Sequence, residues 1–145
     1  LAERFELSAS QKSIRIHPQV EDGVFVLADK IYTTQVFENL ISNAVKFSPK
    51  GKNIFIRLYV NGEQAIGEVR DEGPGITDED KKKLFGKYQK LSARPTGDET
   101  STGLGLSIVK KFVEAMNGRI WCESHPGNWA SFFVAFRHED FRARP

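Results

Sequence analysis

The sequence predicts an α+β fold, a two-layer sandwich in which a mixed, mostly antiparallel sheet of about five strands is covered by about three helices. Two helical patterns and one hairpin carry this prediction. Apolar residues recur at helical spacing through Gln35–Ser48 and again through Leu104–Asn117. Residues Ile54–Val60 alternate as in a strand and run into Asn61–Gly62, a strong hairpin signal, before the return strand Gln64–Val69.

The first elements follow from short local signals. Three short runs are rich in residues that favour strands: Phe5–Leu7, Ser13–His17 and Val24–Ala28. Asp29 then occupies the position of an N-cap before the first long helix. The segment Ser48–Gly51 combines proline and glycine, so we expect that helix to end there.

The second half of the chain adds a short helix, a long loop and two strands. Thr77–Asp80 resembles a capping box and predicts a helix through Leu84 and Phe85. Residues 86–103 have no clear period, which is typical of a lid or binding loop. Gly118 is the expected stop of the second long helix. The final strands are predicted at Arg119–Glu123 and Phe132–Phe136, joined through Pro126–Asn128.

Composition limits the classes of function. The chain has 145 residues, of which 39% are hydrophobic and 28% charged, as in one soluble globular domain. The net charge of +2 is too small to indicate nucleic-acid binding. No apolar run approaches the length of a membrane span, and the first residues show no signal-peptide pattern. The single cysteine, Cys122, lies in an apolar run, and we interpret it as a packed residue in a reducing compartment.

The first long helix carries an unusual polar face. Asn43 lies roughly 40° from Asn39 around the helix, and Lys46 about 20° to the other side. We call these three residues the amide stripe. Asparagine is a poor helix former, but its carbonyl oxygen suits a hard cation, while lysine offers a point charge to phosphate. An ordinary solvated helix face remains the alternative for this stripe alone.

Two glycine-rich segments accompany the stripe. Asp71–Ile76, here called the acidic turn, directly follows a strand, and its carboxylate could accept a hydrogen bond from an exocyclic amine such as that of adenine. Ser101–Leu106 opens the second long helix, where backbone N–H groups and the helix dipole favour an anion. Each segment alone could also be a plain turn or a capped helix start.

Taken in this order, the segments resemble the catalytic, ATP-binding domain of sensor histidine kinases, which belongs to the GHKL superfamily and has the Bergerat fold. Asn39–Phe47 is similar to the N box and Asp71–Ile76 to the G1 box. Leu84–Tyr88 is similar to the F box and Thr102–Leu106 to the G2 box. The closing segment Gly118–Ser124 also resembles the family. The likeness covers nearly the whole chain, so we expect residues 1–145 to form one such domain, a piece of a larger protein.

The resemblance implies a role for each matched residue. Asn43, supported by Asn39, would bind Mg²⁺, and Lys46 would pair with phosphate oxygens. Lys90 stands where many relatives carry an arginine that reaches the terminal phosphate, so Asn39, Lys46 and Lys90 are the implied catalytic residues. The other implied nucleotide-binding residues are Phe47, Asp71, Gly73, Gly75, Ile76, Tyr88, Thr102, Gly103, Leu104, Gly105, Leu106 and Ser131.

The implied reaction is transfer of the γ-phosphate of ATP to a histidine on a separate dimerisation domain, with a response regulator downstream. We expect His17, His125 and His138 to be structural or solvated, since none lies in a box. The isolated domain should be a cytoplasmic monomer that contacts neither nucleic acid nor a membrane, although its parent could be membrane-anchored.

Three alternatives stay open at this stage. Hydrolysing GHKL relatives carry a glutamate base where this chain has Asn39, and an amide cannot take a proton from water. A degenerate nucleotide-binding or docking module would have no need of the intact glycines. A serine kinase of the anti-sigma type shares the fold, and the sequence argues against it only weakly.

Overall fold

The computed structural model describes residues 6–20, 30–86 and 105–137. Its elements in chain order are α1 (Glu6–Gln11), β1 (Arg15–Val20), α2 (Lys30–Phe47), β2 (Asn53–Asn61), β3 (Gln64–Asp71), α3 (Asp78–Lys81), α4 (Gly105–Ala115), β4 (Arg119–His125) and β5 (Trp129–Arg137). The strands form one five-stranded sheet in the order β1-β2-β3-β5-β4. Strand β1 runs parallel to β2, and the other neighbours are antiparallel. The predicted α+β sandwich is therefore confirmed.

The core lies between the helices and one face of the sheet. Its buried side chains come from α2 and α4 and from the strands that they cover, and include Val36, Leu40, Ile41, Val109, Val113, Ile54, Val69 and Val134. Successive residues of a strand point to opposite faces. Ile54 and Val69 therefore mark the inner face, which packs against the helices, and their neighbours Phe55 and Arg70 mark the outer face.

A glycine in β3 sets the position of α2 over the sheet. A Cβ atom on Gly67 would lie only 2.3 Å from Cζ of Phe37, so the ring of Phe37 occupies the space that a side chain would need. Gly67 belongs to the inner face because it alternates with Val69. The helix that carries the amide stripe is thus seated on the strand that leads into the acidic turn.

Two predicted turn signals are confirmed. Asn61 and Gln64 pair across the β2–β3 hairpin, and Gly62 has a φ of 65°, which glycine adopts without strain. The hydroxyl oxygen of Thr77 accepts a hydrogen bond from the Asp80 N–H at 3.1 Å, as a capping box requires. The prediction that this helix continues through Leu84 and Phe85 is wrong, because α3 ends at Lys81.

The prediction of a strand at Phe5–Leu7 is wrong for the two residues that the structure describes. Glu6 and Leu7 open helix α1, in which Ala9 is buried and its carbonyl accepts from the N–H groups of Lys12 and Ile14. A run of a few residues carries too little periodicity to reveal a helix held by such tertiary packing. The predictions at Phe5, Asp29 and Val24–Ala28 lie outside the described residues.

The stop of α4 also differs from its prediction. Asn117, not Gly118, takes the left-handed conformation, with a φ of 59°. Gly118 is needed for a different reason, since a Cβ atom there would lie 2.7 Å from the ring of Phe136. Among the described helices, none combines the length and apolar character that a membrane span requires.

Candidate nucleotide site

The amide stripe lies on α2 at spacings of four and three residues, which places Asn39, Asn43 and Lys46 on one face of the helix. All three side chains are half-buried. The amide nitrogen of Asn39 donates to the carbonyl of Gln35 at 3.0 Å. This bond leaves the amide oxygen of Asn39 as the group that the side chain can offer to a cation.

Asp71 is the last residue of β3, and it is buried. Its side chain lies on the inner face of the sheet because it alternates with Val69. Its Oδ1 accepts a hydrogen bond from the Gly73 N–H at 2.9 Å. Burial raises the pKa of Asp71 from its ordinary value of 3.8 to about 6, although bonds from the Gly73 and Ala130 N–H groups act in the opposite direction. A buried acceptor with a perturbed pKa is typical of a functional carboxylate.

The end of α2 and the acidic turn are in direct contact. A Cβ atom on Gly73 would lie 2.8 Å from the carbonyl oxygen of Phe47 and 3.0 Å from Oδ1 of Asp71. Only glycine therefore permits this approach. The structure thus brings together the last turn of α2, with Lys46 and Phe47, and the buried carboxylate of Asp71.

The β4–β5 hairpin supports the second half of the acidic turn. Gly75 has a φ of 72°, and a Cβ atom there would lie 2.6 Å from the carbonyl oxygen of His125. The Gly127 N–H donates to the carbonyl of Pro74 at 2.6 Å. The Ser124 hydroxyl donates to the Ile76 carbonyl at 2.7 Å and accepts from the Ile76 N–H at 3.2 Å. Ser124 thereby fixes the turn, a role that no pattern in the sequence indicated.

Ser131 does not join this group. It alternates with the inner-face residues Ala130 and Phe132 and therefore lies on the outer face, opposite Asp71. Its hydroxyl donates to a carboxylate oxygen of Glu68 at 2.5 Å, and that carboxylate also binds Arg57. The expectation that Ser131 binds the nucleotide is not supported by this geometry, because its hydroxyl donates to Glu68 on the face of the sheet opposite Asp71.

The phosphate side of the predicted site is only partly described. Gly105 and Leu106 form the first residues of α4, and among the described residues outside α4 no atom lies within 4 Å of the position that a Gly105 Cβ would take. The start of an 11-residue helix presents N–H groups that can bind an anion. The other predicted residues of this side lie outside the described residues: Tyr88, Lys90, Thr102, Gly103 and Leu104.

The described residues contain no cluster of three or more His, Cys, Asp or Glu side chains that could hold a metal ion. The donor set of the stripe instead consists of amide oxygens. Such donors fit Mg²⁺, which keeps several waters and is commonly shared between a few protein oxygens and substrate phosphates. Asn39 and Asn43 are therefore suited to Mg²⁺ bound together with a nucleotide.

A cavity of about 920 Å³ opens on the outer face, bordered by Phe55, Arg57, Arg70 and Trp129. The Arg70 guanidinium lies 4.1 Å from the centre of the Trp129 ring. This cavity lies on the face opposite the Asp71 carboxylate, and none of the stripe residues lines it. We therefore do not assign it to the nucleotide.

The other predicted residues have structural surroundings. His17 Nε2 lies 2.8 Å from Oδ1 of Asn53 and its ring stacks on Phe55, while His125 Nδ1 lies 2.7 Å from the Asn128 amide. His138 lies outside the described residues. Cys122 is half-buried against the core, and burial raises the pKa of its thiol to about 12. The thiol therefore has little nucleophilic character.

Comparison with known proteins shows which family this chain resembles. Residues 28–140 match the family described as histidine kinase-, DNA gyrase B- and HSP90-like ATPase. Sensor histidine kinase WalK of Bacillus subtilis is 36% identical over 143 residues, which are 96% of this chain and 23% of WalK. Circadian input-output histidine kinase CikA of Synechococcus elongatus is 38% identical over 107 residues, which are 74% of this chain and 14% of CikA.

Solved structures show the same fold. The catalytic domain of histidine kinase ThkA superposes with a TM-score of 0.79 at 27% identity, covering 93% of this chain and 87% of ThkA. Full-length ShkA in complex with AMPPNP gives a TM-score of 0.82 at 26% identity, covering 96% of this chain and 28% of ShkA. The predicted Bergerat fold is confirmed. The chain belongs to the family of histidine kinase-, DNA gyrase B- and HSP90-like ATPases, as a catalytic domain of the sensor histidine kinase type.

Proposed function

We propose that this chain binds ATP with Mg²⁺ and donates the γ-phosphate to a histidine on a separate dimerisation domain. The observation that carries the proposal is the contact between Phe47 and Gly73, which sets the amide stripe beside a buried carboxylate. A response regulator would receive the phosphate next. Residues 1–145 would form one catalytic domain of a longer, cytoplasmic or membrane-anchored kinase.

Each wall of the site has its own part in binding. Asn43 and Asn39 would hold Mg²⁺, which would supply charge neutralisation for the phosphates, and Lys46 would add a positive charge beside them. Asp71 accepts the adenine amine, and Gly73 and Gly75 bring the backbone close to the base. The ring of Phe47 and the Ile76 side chain would complete the adenine side.

The phosphate side would close over the nucleotide. We propose that residues 86–103 form a lid, in which Lys90 reaches the terminal phosphate and Tyr88 contributes from the F-box side. Thr102, Gly103 and Leu104 would lead into α4, where Gly105 and Leu106 present the helix start to the phosphates. In the transfer, the bond from the γ-phosphorus to the bridging oxygen of ADP breaks as a bond to the acceptor nitrogen forms, so the chain's task is positioning.

Asn39 favours phosphate transfer over hydrolysis. A hydrolase needs a carboxylate that takes a proton from the attacking water. At this position the chain has the side-chain amide of Asn39, whose nitrogen donates a hydrogen bond within the helix. The chain alone should therefore bind ATP without turning it over. A degenerate module with this fold would need Gly73 and Gly75 as well, because both are required by packing, so measured binding of Mg·ATP decides that alternative.

Calorimetry and radiolabelling together test the proposal. Asn43→Ala removes an oxygen ligand and should weaken Mg·ATP binding at least tenfold, whereas Asn61→Ala, in the exposed β2–β3 turn, should bind normally. With γ-labelled ATP, the chain should stay unlabelled alone and should label a histidine when the dimerisation domain of WalK is supplied. Release of ADP by the chain alone would favour the ATPase alternative, and label retained on the chain would show that the acceptor is misplaced.

A further inference from the structure

A buried lysine from the N-terminal part of the chain reaches the last turn of α2. Lys12 follows α1 directly, and its side chain is only 6% exposed. Its ammonium donates to the carbonyl oxygen of Val45 at 2.7 Å and to that of Lys46 at 3.1 Å. Lysine is seldom buried unless its charge is satisfied, so this arrangement requires an explanation.

The chemistry of a helix end supplies part of that explanation. The last carbonyls of any helix lack a partner inside the helix, and the helix dipole places partial negative charge on them. At the end of α2 the Ser48 N–H donates to the carbonyl oxygen of Ala44. The Lys12 ammonium donates to the next two carbonyl oxygens along the helix, those of Val45 and Lys46. One ammonium therefore satisfies two of the last carbonyls and complements the helix dipole.

The backbone around Lys12 is fixed as well. The Gly51 N–H donates to the Lys12 carbonyl at 3.0 Å, and the Arg15 N–H donates to the Lys52 carbonyl at 3.2 Å. These bonds tie the α1–β1 connection to the turn that follows α2. The Lys12 side chain thus extends from a fixed backbone, which lets it define where the helix ends.

The same turn of α2 forms one wall of the candidate site. It carries Lys46 and Phe47, and the Phe47 carbonyl oxygen would lie only 2.8 Å from a Cβ atom on Gly73. Because that contact leaves no spare room, a shift of the turn would change both the phosphate side and the adenine side. The geometry points to Lys12 as a positioning residue for nucleotide binding, an inference that rests on the proposed function.

A purely structural role for Lys12 makes a different prediction. If Lys12 only added stability, its loss would lower the free energy of unfolding but leave the affinity of the folded molecules unchanged. If Lys12 positions the last turn, the dissociation constant for Mg·ATP rises even when the protein is fully folded. Affinity measured on folded protein is therefore the readout that separates the two roles.

The test compares three variants of the 145-residue chain. Lys12→Met keeps most of the apolar stem but removes both donated bonds, and Lys12→Gln keeps a shorter, neutral donor. Lys50→Met removes the same charge from an exposed position near the end of α2. Each variant is first shown by circular dichroism to be folded, and Mg·ATP binding is then measured by calorimetry at low temperature.

We expect the dissociation constant to rise about tenfold in Lys12→Met, less in Lys12→Gln, and not at all in Lys50→Met. Wild-type affinity in folded Lys12→Met would overturn the inference. Should that variant fail to fold, the Gln variant decides: a smaller but measurable rise in its dissociation constant supports the inference, and an affinity equal to that of the wild type contradicts it. A wild-type chain that binds no ATP would instead refute the proposed function, so the two failures are distinguishable.

Discussion

Replacing Asp71 by asparagine should separate stability from nucleotide recognition. The folded chain holds a proton on Asp71 more tightly than the unfolded chain, because burial raises its pKa from 3.8 to about 6. Between these two values the folded state binds more protons, so the stability that Asp71 contributes falls as the pH rises. Above that window the buried, ionised carboxylate destabilises the fold.

The size of this effect follows from the pKa difference. Each unit corresponds to about 1.4 kcal/mol, so the penalty reaches about 3 kcal/mol at neutral pH. Asparagine does not titrate, and its amide oxygen can still accept from the Gly73 N–H. Part of this penalty is already present at pH 4, because the unfolded Asp71 ionises near pH 3.8. The difference in unfolding free energy between Asp71→Asn and the wild type should therefore shift by about 2.4 kcal/mol in favour of the variant from pH 4 to pH 8.

Denaturant unfolding at several pH values measures this shift. At each pH the unfolding free energy of the wild type is subtracted from that of the variant. The contributions of all other titrating groups then cancel, and the new amide near Ala130 adds only a constant that does not depend on pH. Glu79→Gln, which neutralises an exposed carboxylate in α3, serves as the control. Parallel stability curves for Asp71→Asn and wild type across this range would refute the reasoning, whereas the variant should bind Mg·ATP poorly at every pH.

Three further predictions concern close packing and burial. Gly75→Ala should destabilise the fold by about 2 kcal/mol or more and weaken ATP binding, because φ is 72° and the new Cβ would lie 2.6 Å from the His125 carbonyl oxygen. Gly67→Ala should cost about 1–3 kcal/mol in thermal or chemical unfolding, and adding Phe37→Leu should restore part of the loss. Alkylation of Cys122 at pH 8, followed by mass spectrometry, should be roughly a thousandfold slower in the folded than in the denatured chain.

Matched controls accompany these measurements. Gly127 also has a positive φ, of 86°, but apart from its chain neighbours no atom of the described residues lies within 4 Å of its Cβ position. Gly127→Ala should therefore show the backbone strain without the collision, and equal losses at both glycines would contradict the role of His125. Additive losses in the Gly67 and Phe37 double variant would mean that the two residues do not share one space. Rapid alkylation of the folded chain would show that the thiol is accessible and ionisable.

Local signals predicted much of the fold. The period of α2 and its stop before Pro49, the Asn61–Gly62 hairpin and the Thr77 cap all depend on neighbours in sequence, and the structure contains each of them. The sequence also indicated that the helix with the amide stripe and the acidic turn belong to one site. The contact between Phe47 and Gly73 agrees with that expectation.

What the sequence did not reveal depends on distant partners. The family resemblance implies that Ser131 binds the nucleotide, but the sheet register decides its face, and its hydroxyl donates to Glu68. Ser124 and Lys12 gave no local signal, since their bonds to Ile76 and to the end of α2 join residues far apart in the chain. Only the folded arrangement identifies such residues.

The contact of Phe37 with Gly67 has a consequence for how the site responds to solution conditions. A ring that fills the space of a missing side chain locates α2 by shape, and shape does not depend on proton concentration or ionic strength. The Asp71 carboxylate, four residues further along β3, does respond to proton concentration, because burial raises its pKa to about 6. Acidification should thus alter how strongly the site attracts its ligand while leaving the seat of α2 on β3 unchanged.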